Sequence, residues 1–149
     1  MCDIHYIMDL LDWNNEYDLQ QKGVQLAKKV DNLEIFFQPC DERHNKNIWD
    51  NCAKIISSKS DAELSPYIVL MFEWLQDMNW PGAFVIRERL INMDLPLIKQ
   101  PFLQCLNNAI MNDEVWKMWL MSFAKEYQKK QSGDGSLIDG GTVGTQGEG

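Results

Sequence analysis

The sequence predicts an all-α domain followed by a glycine-rich tail. Apolar residues recur at helical spacing (i, i+3, i+4, i+7) along nearly all of the first 130 residues. Alternation with period two, which marks a half-buried strand, is almost absent, and "EIFF" at 34–37 is the one weak candidate. Residues 131–149 hold seven of the nine glycines. We therefore predict a helical domain at 1–130 and a disordered tail at 131–149.

About seven helices are expected, and three of them lie in the first half of the chain. Apolar spacing predicts helices at about 4–11, 16–30 and 46–57. Pro39 and the charged run at 41–43 interrupt the pattern, which indicates a loop between the second and third helices.

The second half begins with a long helix. Ser60 and Glu63 have the spacing of a capping box and could start one turn. Ser65 and Pro66 are the preferred start, because Ser65 can cap free N–H groups and Pro66 gives up no hydrogen bond in the first turn. A partner helix is expected at about 79–92.

Two further helices complete the domain. Asp94, Pro96 and Pro101 are expected to punctuate the first of them, and Asn112 or Asp113 should cap the last one. Helical phase predicts the buried face of each. These faces are Tyr67, Leu70, Met71, Trp74, Leu75 and Met78 on the long helix, then Phe102, Leu106, Ala109 and Ile110, then Trp116, Trp119, Leu120, Phe123 and Tyr127.

Charge and cysteine usage limit the classes of function. The chain has 149 residues and a net charge of −8, and without the acidic residues of the tail 14 basic and 19 acidic side chains remain, a net charge of −5. An acidic chain is a poor non-specific binder of nucleic acid or anionic membranes. Four scattered cysteines, no signal peptide and no run of 18 apolar residues predict a cytoplasmic protein with reduced thiols and no membrane span.

The densest stretch of the chain is "EWLQDMNWPGA" at 73–83. Pro81 disfavours a helical conformation at Trp80, so the long helix must end before it. Asn79 could cap the next helix, and Asp77 could accept hydrogen bonds from its first N–H groups. Gly82 allows close packing of the new helix on the old one. The stretch therefore reads first as a corner between two helices, clamped by its tryptophans.

The same stretch also allows a functional interpretation. Glu73 and Asp77 stand at i, i+4, which would place two carboxylates on one helical face, where they could act as acid and base or hold a cationic group beside the tryptophans. The surface could instead bind a protein partner. The candidate binding residues are Glu73, Trp74, Asp77, Asn79, Trp80 and Arg87, and the sequence assigns no catalytic residue, metal or cofactor.

Three segments resemble an uncharacterised bacterial family of small all-helical domains. They are "SDAELSPYIVLMFEWLQDMNWPGA", "NDEVWKMWL" and "IFFQPCDERHNKNIWDNCAKII". The first contains a W-L-Q-D-x-N-W-P box of the kind typical of this domain of unknown function. The resemblance covers about 35–123 and implies a HEAT-like array of antiparallel helix pairs. It transfers no catalytic residue, because the family has no assigned biochemical role.

Two other groups of residues could form a metal, thiol or anion site. Cys40, His44 and Cys52 could bind zinc with Asp41, or His44 could activate one of the thiols, but their wide spacing favours an ordinary loop. Arg87 and Arg89 could hold a phosphate or carboxylate group. Residues of this kind more often form surface ion pairs, here with neighbours such as Glu88 or Glu73.

The leading hypothesis is a non-enzymatic, cytoplasmic protein-interaction module of the adaptor or immunity type, which binds a basic partner. The alternative is a nucleic-acid-processing, DNA-repair-like protein with a basic groove near Trp80, lined by Arg87, Arg89, Lys99 and Lys54. The third possibility is an enzyme acting on a small molecule through Glu73 or Asp77.

Overall fold

The computed structural model describes residues 3–131, and within this range the chain is all-α and contains no strand. The α-helices are α1 (Ile4–Leu10), α2 (Tyr17–Ala27), α3 (Lys46–Ser57), α4 (Asp61–Leu64), α5 (Ile68–Glu73), α6 (Ala83–Ile91), α7 (Leu95–Asn112) and α8 (Glu114–Lys130). Short 3₁₀ turns cover Leu33–Phe36, Ser65–Tyr67 and Trp74–Gln76.

The predicted fold class is confirmed. From residue 61 to 76 helical structure continues without a break, so α4 and α5 act as one segment and the helical segments number about seven. "EIFF" does not form a strand, because most of it belongs to the turn at Leu33–Phe36. The predicted tail lies outside the described residues except for Gln131.

The start of the long helical segment differs from the preferred prediction. Ser60, not Ser65, is the cap: its hydroxyl accepts from the Glu63 N–H at 3.2 Å, and the Glu63 carboxylate accepts from the Ser60 N–H at 3.0 Å. Ser65 and Pro66 lie in the following 3₁₀ turn and make no side-chain cap. The capping box therefore starts the segment one turn earlier.

The last two helices form a hairpin with a single residue between them. Asp113 accepts from the Trp116 N–H at 3.0 Å and caps α8, as predicted. Pro101 does not divide α7, which runs through it at the loss of one backbone donor. The predicted stripe is wrong at Ile110, whose side chain is 51% exposed near the end of α7.

The helices enclose one apolar core, and some of them pack against helices that are not their neighbours in the sequence. The pairs α1–α2, α2–α3 and α7–α8 pack together, while α3 packs against α6 and α5 packs against α7. The long segment at 61–76 is thus bypassed by the contact between α3 and α6. A HEAT-like repeat of these pairs stays a prediction.

The C-terminal part of the core combines aromatic packing with buried hydrogen bonds. The Phe72 ring meets those of Phe102 and Phe123 edge-on. The Trp116 indole donates to the Phe72 carbonyl at 3.0 Å, and the Tyr127 hydroxyl donates to the Met93 carbonyl at 2.7 Å. Each bond satisfies a buried polar atom, which ties α8 to the elements beneath it.

No helix within residues 3–131 combines the length and the apolar character that crossing a membrane would need.

Candidate functional site

The stretch at 73–83 forms a corner, but the new helix begins later than predicted. Helical structure ends at Gln76, and Asp77 is extended with φ −143° and ψ 107°. The cap position of α6 is Gly82, so Asn79 does not cap it. Asn79 is exposed in the turn before the helix. Four residues that were expected in the helix instead form a non-helical connection.

The Trp74 side chain ties the two sides of this corner together. It is fully buried, and its indole N–H donates to the Pro81 carbonyl at 3.0 Å. The Trp80 N–H donates to the Asp77 carbonyl at 3.0 Å, which closes the turn. Because Trp74 is both buried and hydrogen-bonded, its role is to hold the corner.

A third tryptophan, from α3, completes the corner. The Trp49 ring lies 6.2 Å from that of Trp74 and 5.8 Å from that of Trp80, edge-on in both cases. Its indole N–H donates to the Pro39 carbonyl at 2.8 Å. The contact of Trp49 with the corner was not predicted from the sequence. Nothing in local spacing indicates a contact between residues so far apart.

Gly82 brings the beginning of α6 against α3. Its φ is +84°, in the left-handed region that favours glycine. A Cβ atom at this position would lie 2.7 Å from the Ala53 Cβ and 2.9 Å from the Trp49 carbonyl oxygen. The closest approach is therefore to α3, and the Trp74 ring of the preceding helical segment would lie 3.1 Å from the same Cβ, in agreement with the close packing that the sequence had suggested.

The two carboxylates of the stretch do not share a helical face. The chain leaves the helix between Glu73 and Asp77, so the i, i+4 geometry proposed for them is absent. The Asp77 carboxylate accepts from the Asn79 N–H at 2.8 Å, inside the turn. Glu73 is the last residue of α5 and acts electrostatically on Cys105 of α7. Burial, and then the charge of Glu73, raise the pKa of the Cys105 thiol to about 12.

The two arginines after the corner bind backbone and carboxylate oxygens of other elements. Arg89 donates to the Ser57 and Lys59 carbonyls at 3.1 and 2.8 Å and forms a 2.6 Å ion pair with Asp61. Arg87 is 3.5 Å from the Ser122 carbonyl. The suggestion that these arginines pair with Glu88 or Glu73 is wrong for Arg89, whose ion-pair partner lies in α4.

His44 lies at the centre of a polar cluster with Asp9 and Asp41, which differs from the zinc site considered above. It is 3% exposed, with Nε2 2.7 Å from Asp9 Oδ1 and Nδ1 3.4 Å from Asp41 Oδ2. Both ring nitrogens are thus engaged by carboxylates. Cys52 is buried in the core, which raises the pKa of its thiol strongly, and Cys40 is exposed.

These contacts leave His44 unavailable for the two functions weighed above. Neither ring nitrogen is free to activate a thiol or to bind a metal ion. Within residues 3–131, no three His, Cys, Asp or Glu side chains are arranged to hold a metal ion.

The carboxylates around His44 titrate below their usual range. Hydrogen bonding by His44 is the main cause that lowers the pKa of Asp9, followed among the lowering effects by the Arg43 charge. The backbone N–H groups of His44 and Arg43 lower the pKa of Asp41. The cluster therefore stabilises the ionised carboxylates and fastens α1 to the loop before α3.

The six residues singled out from the sequence are close in the chain but differ in their accessibility. Trp74 is buried and Asn79 is exposed, while Glu73, Asp77, Trp80 and Arg87 are partly buried. Trp74 and Asp77 are engaged within the corner itself. For these two residues the contacts give a structural role in holding the turn.

Comparisons with known proteins place this fold in a family. No curated protein and no solved structure matches the chain. A family model matches residues 44–135, which is more than half of the chain and includes the corner, α3 and the two last helices. The helices α1 and α2 precede the matched region. The resemblance to a domain of unknown function is thereby confirmed, and the chain belongs to the family described as "Domain of unknown function (DUF5071)".

Proposed function

We propose that this protein is a non-enzymatic protein-interaction module, of the adaptor or immunity type, which binds a basic partner. The observation that carries the proposal is the distribution of exposed apolar side chains. Among residues 3–131, nine of the ten large ones fall into two short stretches, at 6–19 and 110–121, and the tenth is Phe84. Grouped apolar side chains on a surface are typical of sites that contact other proteins.

The charge of the chain supports a basic partner. Without the tail the net charge is −5. Complementary charge speeds association with a basic protein and disfavours acidic competitors. A HEAT-like array and a cytoplasmic location belong to the same proposal. The location is supported by the free thiols of Cys40, Cys52 and Cys105, which suit a reducing compartment.

The contacts of the arginines support a protein partner over nucleic acid. A basic groove near Trp80 would need Arg87 and Arg89 among its phosphate ligands. The Arg89 guanidinium is already bound by Asp61 and by two carbonyl groups, and Arg87 points towards the Ser122 carbonyl. The enzyme alternative relied on a helical i, i+4 arrangement of Glu73 and Asp77, and the helix ends before Asp77.

Affinity capture from native cells tests the proposal. The purified chain is immobilised beside an unrelated protein of similar size and acidity, and extracts are applied at about 50 and about 150 mM salt, where screening differs. We expect a basic protein to be retained by this chain alone at both salt concentrations. Retention of no protein, or of the same proteins by both columns, would contradict the proposal. A gel-shift titration at low salt tests the nucleic-acid alternative directly.

A further inference from the structure

The loop between α1 and α2 displays two aromatic side chains to solvent. Trp13 lies in this loop and is 47% exposed, and Tyr17 is the first residue of α2 and is 72% exposed. Both precede the region matched by the family model. Tryptophan and tyrosine are the side chains most enriched at the energetic centres of protein interfaces. Neither side chain belongs to the buried core, so packing does not account for these two aromatic residues.

The chain segment that carries these rings is acidic. Residues 3–21 contain five carboxylates and no lysine or arginine. One of the five, Asp9, is already bound by His44 and Arg43. Three of the others alternate with the exposed rings along the chain: Asp12, Glu16 and Asp18.

A polar network holds this loop from within. The Gln20 amide donates to the carbonyls of Trp13 and Asn15 at 3.2 and 2.7 Å. Asn51 of α3, which is 1% exposed, donates to the Gln20 side-chain oxygen at 2.9 Å and to the Leu11 carbonyl at 2.7 Å. The loop backbone is therefore fastened to a buried side chain of the core.

The backbone of Trp13 is held on both sides while its side chain remains half outside. Its N–H donates to the Asn47 carbonyl at 3.0 Å, and its own carbonyl accepts from Gln20. An aromatic side chain on a fixed backbone loses little conformational entropy on binding. A contact of the relevant kind occurs between the same two helices, α1 and α2, because the Lys22 ammonium lies 5.6 Å from the centre of the Tyr6 ring.

We propose that Trp13 and Tyr17, with the carboxylates of Asp12, Glu16 and Asp18, form the docking surface for an arginine- or lysine-bearing segment of a partner protein. This inference rests on the proposed function and adds the place at which the basic partner binds. The ring faces attract the cationic groups, and the carboxylates neutralise their charge. Charge complementarity selects this occupant, since an acidic segment would be repelled.

Peptide titration with matched variants tests the surface. The probe is a short synthetic peptide of arginine, leucine, glycine and serine, and its control has glutamate in place of arginine. We expect the parent chain to bind the arginine peptide and not the glutamate peptide. Trp13→Ala should weaken binding of the arginine peptide at least about tenfold. Phe84→Ala is the control, because Phe84 is an aromatic residue 70% exposed on α6 and lies outside both stretches of exposed apolar side chains. It should leave the affinity unchanged.

Two further variants separate charge from positioning. Glu16→Gln should weaken binding of the arginine peptide and reduce its salt dependence, whereas Glu126→Gln on α8 should do neither. Gln20→Ala keeps both rings and all the carboxylates but releases the loop. It should weaken binding without changing the salt dependence.

The results distinguish the surface from the general function. Equal affinity of the parent and Trp13→Ala for the arginine peptide, with both folded by circular dichroism, would overturn the docking surface and leave the interaction module standing. No binding of the arginine peptide to the parent would overturn it as well. The general function then depends on the affinity capture alone.

Discussion

At the scale of single residues, the corner depends on one glycine and one carboxylate. Gly82 permits a left-handed backbone and contact with α3, and both conditions exclude a side chain. Asp77 accepts a hydrogen bond within the turn and precedes the cap position of α6, Gly82, by too many residues to cap that helix. Gly82 therefore has the close-packing role that the sequence suggested, whereas Asp77 stabilises the turn and does not cap the helix.

Gly82→Ala should lower the free energy of unfolding by about 3 kcal/mol, because left-handed strain and overpacking add together. Urea denaturation of the purified variant measures this loss. Gly23→Ala is the control, since its Cβ would lie 2.8 Å from the Leu10 Cβ without any requirement for positive φ. A smaller loss for Gly82→Ala than for Gly23→Ala would show that the corner relaxes easily.

Asp77→Ala should cost about 1 kcal/mol of stability, because the Asn79 N–H loses its acceptor. Asp77→Asn should be nearly neutral, since the amide oxygen can accept the same bond. Thermal denaturation of both variants makes the comparison. A large loss in Asp77→Asn would mean that the negative charge is needed for stability, contrary to the role in the turn.

At the scale of elements, helix starts follow their local caps when the capping partners are close in sequence. Ser60 and Glu63 satisfy each other and set the start of the segment at 61–76. Asp113 does the same for α8. The start of α6 follows a different rule, because Gly82 has no capping side chain and is placed by its contact with α3.

Ser60→Ala should destabilise the protein by about 1 kcal/mol, because it removes a satisfied cap. Ser65→Ala should change stability by less than about 0.5 kcal/mol, because Ser65 is exposed and makes no cap. The pair is measured by chemical denaturation under one set of conditions. The reverse order would restore Ser65 as the effective start of the helix.

At the scale of the whole molecule, the N-terminal pair of helices is fastened to the family domain by polar contacts. Asp9 of α1 binds His44, the first residue matched by the family model. Asn51 of α3 reaches the end of α1 through the Leu11 carbonyl. The docking surface proposed above lies on this N-terminal pair, so these contacts also determine its orientation.

This junction should weaken in acid. The pKa values of Asp9 and Asp41 are lower in the folded chain than the value of about 4 in the unfolded chain. Their contribution to stability is therefore present above about pH 4 and is lost as the pH falls through the lowered values. Asp9 is 39% exposed, so solvent screening keeps its contribution small.

The expected result is a steeper loss of stability for the parent than for Asp9→Asn between about pH 4.5 and 2.5. Urea midpoints measured across this range provide the test. Glu126→Gln, an exposed change on α8, should follow the parent. Parallel curves for the parent and Asp9→Asn would show that the Asp9 contact contributes nothing to the pH dependence.

Local patterns predicted the helices well and the candidate site less well. The third helix was placed at its observed bounds, 46–57, because its apolar stripe is regular. The pairing of Glu73 with Asp77 failed, because it assumed that the helix continued for one more residue. The network of Gln20, Asn51 and Trp13 was not predicted, since its members lie up to 38 residues apart and share no local pattern.

Helical class and the approximate positions of the helices were readable from the amino-acid order, because apolar period, capping boxes and proline act over only a few residues. The family was readable from the resemblance of the box at 74–81. The partner of each helix, the three-tryptophan corner and the fixed position of Trp13 arise from contacts between distant residues. Core packing and buried hydrogen bonds select these contacts together, and the pattern of a single segment carries no information about its neighbour in space.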